Sequence, residues 1–233
     1  IQCNGDNNGT INSSTSGNIG SLSYSWSNGQ STSTAINLFS GIHTLIVTDS
    51  LGCTATNSIT LTEPAVLVSS LNGTDLLCFQ DNSGTIDLTV AGGTITYTYA
   101  WSGPGGPYNS EDLSGLATGI YNVTVTDNNG CTATEIITLT EPDELVSSFT
   151  GTDLLCFQDN SGTIDLTVAG GTMTYTYAWS GPGGPYNSED LTGLAAGTYN
   201  ITLVDNNGCV LDNDISISEP PLITSTISST NIT

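Results

Sequence analysis

Two long stretches of this chain are nearly the same text. Gly73–Leu113 and Gly151–Leu191 differ only in that Ile95 becomes Met173. A shorter, diverged copy fills Ile1–Pro64. Cys3, Cys78 and Cys156 open the copies, and Trp26, Trp101 and Trp179 each lie 23 residues further on. Cys53, Cys131 and Cys209 follow, and Glu63-Pro64, Glu141-Pro142 and Glu219-Pro220 close them. The first copy is three residues shorter, between its Trp and its second Cys. Self-similarity of this kind marks an array of small stacked units. The expected units are 1–64 (diverged, lacking its first strand), 65–142 and 143–220, with 221–233 as the first strand of a following unit. Such multiplication suits a protein that needs length or many equal contacts, and suits a single active site poorly.

Local patterning predicts strands throughout. In the middle copy, Ala65–Asn72 reads as a first strand. Thr85–Ala91 alternates Ile86, Leu88 and Val90 with Thr85, Asp87 and Thr89, the signature of a half-buried strand. Thr94–Ser102 alternates again, with Ile95, Tyr97, Tyr99 and Trp101 on one face. Between these runs lie turn signals: Asp81-Asn82-Ser83-Gly84, Gly92-Gly93, the Gly103–Pro107 loop, and Asp127-Asn128-Asn129-Gly130 as a hairpin. Cys131–Thr140 is the last strand. Its inward phase includes Glu135, matched by Asn57 and Asn213, which predicts a bulge there. No 3.6-residue periodicity supports a helix. Six or seven short strands per copy predict an all-β fold built from antiparallel two-sheet sandwiches.

Leu116-Ala117-Thr118-Gly119-Ile120-Tyr121, repeated at Leu194–Tyr199, resembles the tyrosine corner of immunoglobulin-like sandwiches. The expectation is therefore tandem immunoglobulin-like sandwiches in an elongated rod. In the first copy the corner Tyr is replaced by His43, the chain's one histidine. His43, Tyr121 and Tyr199 are read as structural corner residues. Trp26, Trp101 and Trp179 are read as core aromatics, against the reading of Tyr97, Tyr99 and Trp101 as a sugar platform.

Charge excludes several functions. There is no Lys or Arg against 22 Asp and Glu, a formal net charge of −22. Nothing here neutralises phosphate, so nucleic acid is not a partner. Anionic membrane surfaces are disfavoured for the same reason, and no apolar run approaches the ~20 residues of a membrane span. Only three acids fall in the first copy: Asp6, Asp49 and Glu63. They are the positions that recur as Asp81, Asp127 and Glu141, and as Asp159, Asp205 and Glu219.

The full order of motifs carries a family resemblance. Cys-x-x-Asp-x-x-Gly-Thr-Ile, Gly-Gly-Thr with Tyr-x-Tyr-x-Trp-Ser, Leu-x-x-Gly-x-Tyr, Asp-Asn-Asn-Gly-Cys and a closing Glu-Pro resemble the SprB-type repeat of Bacteroidota surface adhesins. The resemblance covers all three copies, the first departing at His43 and in its shortened middle. It implies a secreted, surface-bound filament, exported by the type IX route and serving gliding or adhesion as a stalk.

In that extracellular setting six cysteines read as disulfides. Pairing within each copy is expected, Cys3–Cys53, Cys78–Cys131 and Cys156–Cys209, because each copy then closes its own loop of about 50 residues. Those bonds would bring Asp6 near Asp49, Asp81 near Asp127 and Asp159 near Asp205. Paired carboxylates make these six calcium candidates, against the alternative that each closes an Asx turn. No nucleophile–base set or cofactor loop is present, so catalysis is not expected. The expected partners are neighbouring repeats of the same or an adjacent chain, with surface polysaccharide as a further candidate. The chain reads as a window on a continuous array. Alternatively, Pro221–Thr233 completes the first copy of a neighbouring molecule by strand donation, making the protein a filament or sheath subunit. A third reading is the spacer or sugar-binding part of a secreted enzyme.

Overall fold

The computed structural model describes residues 1–230. All of its regular structure is β. The first copy forms β1 (Gly9–Asn12), β2 (Leu22–Trp26), β3 (Thr34–Leu38), β4 (Gly41–Asp49) and β5 (Thr54–Leu61). The second forms β6 (Val68–Thr74), β7 (Gly84–Ala91), β8 (Thr98–Ser102), β9 (Leu113–Leu116), β10 (Gly119–Thr126) and β11 (Thr132–Leu139). The third forms β12 (Val146–Thr152), β13 (Gly162–Ala169), β14 (Thr176–Ser180), β15 (Leu191–Leu194), β16 (Gly197–Val204) and β17 (Val210–Ile217). By backbone proximity the chain groups into two compact units. One is Ile1–Gly73, Thr85–Ser114 and Gly119–Thr138; the other is Thr74–Gly84, Gly115–Thr118 and Leu139–Thr233. The first copy lies within the former and the third within the latter, while the second contributes to both.

The third copy shows the plan. One sheet is ordered β12-β13-β15 and the other β14-β16-β17, each antiparallel. The chain leaves the first sheet after β13, returns for β15 and leaves again, the exchange that builds an immunoglobulin-like sandwich. Alternation does the sorting. Ile164 and Leu166 of β13, Trp179 of β14, and Tyr199, Ile201 and Leu203 of β16 point into one buried cluster. Phe149 of β12 and Leu145 just before it close the cluster, with Phe149 edge-on to Trp179 at 5.9 Å between ring centres.

The second copy has the same sheet orders, β6-β7-β9 and β8-β10-β11. The first copy has β1-β3 and β2-β4-β5, and among the described residues no strand takes the place of β6 and β12 there.

Three expectations change. The first strand runs Val68–Thr74, later than Ala65–Asn72. The strand expected from Thr94 starts only at Thr98, and Ile95 and Met173 lie exposed rather than on the core face. The cause is local. The Thr94 N–H donates to Asp127 Oδ2 at 2.8 Å and its carbonyl accepts from Asn128, so this stretch belongs to the hairpin rather than to the ladder.

At Asn57 and Asn213 the expected bulge is absent. Registers through Asn57 and Asn213 run unbroken. The irregularities fall at Gly9 and at Gly162. There a Cβ would meet the Leu38 and Leu194 carbonyl oxygens at 2.7 and 2.9 Å, so only glycine lets the strands approach. The polar residue on the inner phase of the last strand is explained by a partner on the first. Ser69 Oγ donates to Glu135 Oε1 at 3.1 Å, and Asn213 Nδ2 donates to Ser147 Oγ at 3.3 Å.

Pro221–Thr230, expected as a following copy's first strand, is an exposed segment without strand structure in this chain. Asn231–Thr233 lie outside the described residues.

Candidate functional site

The features shared by all three copies converge on the cysteine turns. The first Cys begins a tight turn closed by a carboxylate. Asp81 Oδ2 accepts the Cys78 N–H at 3.0 Å and Oδ1 accepts from Ser83, and Asp159 does the same for Cys156 and Ser161. In the first copy Asp6 Oδ2 accepts the Cys3 N–H at 3.3 Å. The closing Glu of each copy then reaches back to this turn. Glu63, Glu141 and Glu219 accept from the backbone N–H of Gly5, Gln80 and Gln158 at 2.7, 2.7 and 2.9 Å.

The second Cys ends an Asp-closed hairpin. Asp127 Oδ1 accepts the N–H groups of Asn129 and Cys131, at 2.9 and 2.8 Å. Asp205 repeats this with Asn207 and Cys209, and Asp49 with Leu51 and Cys53. Asp127 and Asp205 are the buried charged side chains among the described residues. Burial opposes the charge on Asp127. The N–H groups of Thr94, Cys131, Asn129 and Gly130 more than offset it and hold its carboxyl below the usual range. Asp49 is likewise lowered, first by the Cys53 N–H.

These hydrogen bonds fit the Asx-turn alternative to the calcium expectation. Asp6, Asp49, Asp81, Asp127, Asp159 and Asp205 each place a carboxylate oxygen on a turn N–H group. Among the described residues no three His, Cys, Asp or Glu side chains gather as a metal set. The expected Asp pairs rested on pairing cysteines within copies, and the structure pairs them otherwise.

Cys3 is bonded to Cys131, and Cys78 to Cys209. The first Cys of each copy thus joins the second Cys of the next copy, in place of Cys3–Cys53, Cys78–Cys131 and Cys156–Cys209. Cys53 and Cys156 are free and exposed. The physical reason is that within one copy the two cysteines end different structures, a turn after the first strand and a hairpin between the last two. Each of the two junctions carries a further hydrogen bond. Asn129 Nδ2 donates to the Gln2 carbonyl at 2.9 Å, and Asn207 Nδ2 to the Leu77 carbonyl at 2.8 Å. An Asn two residues before the second Cys is the one sequence signal of this pairing. It stands at 129 and 207, whereas the first copy has Leu51.

The remaining site residues fall where the corner and core readings put them. Tyr199 Oη donates to the Ala195 carbonyl, four residues upstream, at 2.9 Å. His43 Nε2 meets the Phe39 carbonyl, also four residues upstream, at 3.0 Å, so the imidazole takes the tyrosine's place at the corner. Tyr121 and Tyr199 are fully buried. Trp26, Trp101 and Trp179 are buried and their indole N–H groups donate to the Thr32, Ser110 and Ser188 carbonyls. A buried Trp101 removes the central ring of the sugar platform.

Beside the first copy's core lies an open groove of about 620 Å³. Ile11, Trp26, His43, Leu45, Val47 and Ile59 line it, with Cys53 at its margin.

Comparison with known proteins places these copies. The SprB repeat model matches residues 1–31, 70–106 and 148–184, one segment in each copy. No curated protein matches the sequence. Among solved structures, the N-terminal eight immunoglobulin domains of Down syndrome cell adhesion molecule align at 14% identity and TM-score 0.37, over 84% of this chain and 32% of that one. This chain therefore spans about a third of that structure. Drosophila OTK extracellular domains 3–5 align at 10% identity and TM-score 0.35, over 85% and 86%. Invasin, a bacterial integrin-binding protein, aligns at 14% identity and TM-score 0.33, over 84% and 52%.

Proposed function

We propose that this chain, which the SprB repeat model matches once in each copy, is a stalk segment of a large secreted cell-surface adhesin, giving reach and passing force between a cell and a surface. The observation that carries this reading is the recurrence of one covalent junction, first Cys to the next copy's second Cys. A protein that selects a ligand gains little from repeating the same junction. A tether gains resistance at every joint. Disulfides suit an oxidising extracellular setting, and a chain without Lys or Arg gives trypsin-like proteases no site. On this reading the repeats are not catalytic and their partners are further repeats. Type IX export in a member of the Bacteroidota, and a role in gliding, are the finer expectations carried by the family resemblance.

The test is antibody labelling of this repeat on live, intact cells that make the protein, filmed over seconds to minutes. Long surface strands that travel along the cell body are the expected result. A fixed, even coat would remove motility and favour a sheath. Labelling only after lysis would remove the surface location.

A further inference from the structure

The hairpins that end at Cys131 and Cys209 carry a chemical weak point and a lock on it. Each turns through Asn-Gly, Asn129-Gly130 in one and Asn207-Gly208 in the other. In such a pair the glycine nitrogen can attack the side-chain carbonyl carbon of the asparagine, because glycine has no Cβ to obstruct the approach. The attack needs three freedoms. The glycine N–H must give up its proton, the asparagine side chain must swing over the backbone, and its amide nitrogen must leave as ammonia.

The structure restrains all three. Gly208 donates its N–H to the Asp205 carbonyl at 3.1 Å, and Gly130 to the Asp127 carbonyl at 3.0 Å. Asn207 Nδ2 donates to the Leu77 carbonyl at 2.8 Å and to Thr172 Oγ1 at 3.1 Å. Asn129 Nδ2 donates to the Gln2 carbonyl at 2.9 Å and to Thr94 Oγ1 at 3.1 Å. Both hydrogens of each amide are therefore held, one by the copy before and one by its own copy.

Another Asn-Gly turn shows what the lock adds. In Asn28-Gly29 the glycine donates its N–H to the Trp26 carbonyl at 2.9 Å, and its φ of 85° matches 87° at Gly130 and 85° at Gly208. Asn28 Oδ1 accepts from the Gln30 N–H, and among the described residues no hydrogen bond holds Asn28 Nδ2. The turn is the same and the hold on the amide is missing.

We propose that Asn129 and Asn207 are deamidation sites sealed by the junctions, so that each converts when its junction opens and the product keeps that junction from closing as before. The glycine nitrogen bonds to the asparagine Cγ, ammonia leaves, and a succinimide ring forms. Water then opens the ring at either carbonyl, leaving aspartate or isoaspartate. One water is consumed and one ammonia released, with no oxidant or reductant. The product has lost its donor. The Leu77 and Gln2 carbonyls only accept, so a carboxylate there meets oxygen lone pairs in place of a hydrogen bond. It also stands two residues from the buried side chain of Asp205 or Asp127, and like charges repel. Isoaspartate in addition lengthens the backbone of the turn by one carbon. The disulfide remains without its companion hydrogen bond, and a junction that has once opened carries a permanent mark.

The test uses the whole chain. Conversion at Asn28, Asn129 and Asn207 is followed in mildly alkaline buffer by mass mapping of peptic peptides, with isoaspartate separated by chromatography. The chain unfolded in guanidinium, its cysteines reduced and capped, supplies the unprotected rate of each site. Folding should slow Asn129 and Asn207 at least roughly tenfold more than it slows Asn28. Removing one disulfide, by Cys78→Ser together with Cys209→Ser, should speed Asn207 at least about fivefold and leave Asn129 and Asn28 at their wild-type rates. That variant keeps the turn and its Asp205, so it isolates the hold of the junction. Asn207→Asp, the product itself, should let dithiothreitol open Cys78–Cys209 at least about fivefold faster, with Cys3–Cys131 of the same molecules unchanged. Equal protection of the three sites in wild type would overturn the proposal. So would a disulfide variant in which Asn207 keeps its rate or all three sites speed up alike, or an Asn207→Asp chain whose Cys78–Cys209 bond resists the thiol as wild type does.

Discussion

The first and third copies share one plan; the first has one strand fewer among the described residues and His43 in place of the corner tyrosine. In the third, β12 lies along β13, Phe149 covers Trp179, and β17 ends with Ile217 buried. In the first, β1 spans only Gly9–Asn12 and pairs with β3 alone among the described residues, and β5 is exposed along nearly all its length. The sandwich still closes over Ile11, Trp26, Ala35, Leu38, Leu45 and Val47. The comparison teaches that the edge strand is a lid on a core that the other five strands already define.

The largest test of that lesson is truncation of the central tryptophan. Trp179→Ala should cost about 3–5 kcal/mol, the range for a large aromatic lost from a closed core. Trp26→Ala should cost less, because water already reaches its neighbours through the groove. Hydrogen exchange followed on peptic peptides reads each copy separately, and equal losses in the two copies would break the comparison.

Next comes the buried hairpin carboxylate. Asp127→Asn puts an amide where N–H donors converge and should destabilise the fold. Because the folded carboxyl titrates below its unfolded value, its stabilisation is complete above about pH 4. It is lost as the pH falls through the lower folded value. The gap in melting temperature between wild type and Asp127→Asn should therefore be constant from pH 7 to about pH 5 and shrink below about pH 4. A gap that widens on acidification would refute the assignment. The difference between two chains isolates this residue from the general relief of repulsion as other acids are protonated.

The smallest effect sits at the corner. Tyr199→Phe should cost about 1 kcal/mol, the worth of one hydrogen bond. His43→Tyr should return a few tenths to the first copy by restoring the larger ring. Melting curves of both variants would sharpen how much of the first copy's difference belongs to the corner and how much to the absent strand.

Much of this was legible in the residues. Alternation around Ile86, Leu88 and Val125, the Asn-Gly hairpins and the Leu-x-x-Gly-x-Tyr corner predict the strands and their inward faces. His43 follows from its place in the repeat. What could not be read was set by contacts far apart in sequence. Thr94–Tyr97 alternates like a strand, yet a carboxylate 33 residues away captures its backbone. Glu135 looks like a break in the pattern until Ser69 appears opposite it. The cysteines misled most, because identical copies make bonding within a copy and bonding to the next copy equally regular on paper. Only the fold shows which ends meet.

The two bonded loops, Cys3 to Cys131 and Cys78 to Cys209, overlap rather than follow one another. Loops closed within each copy would leave the stretches between them as single threads, and one cut there would part the chain. With overlapping loops no such thread exists between Cys3 and Cys209. A break before Cys78 is bypassed through Cys3–Cys131, one after Cys131 through Cys78–Cys209, and one between them by either. A single nick by an extracellular protease anywhere in that span leaves the two ends covalently joined.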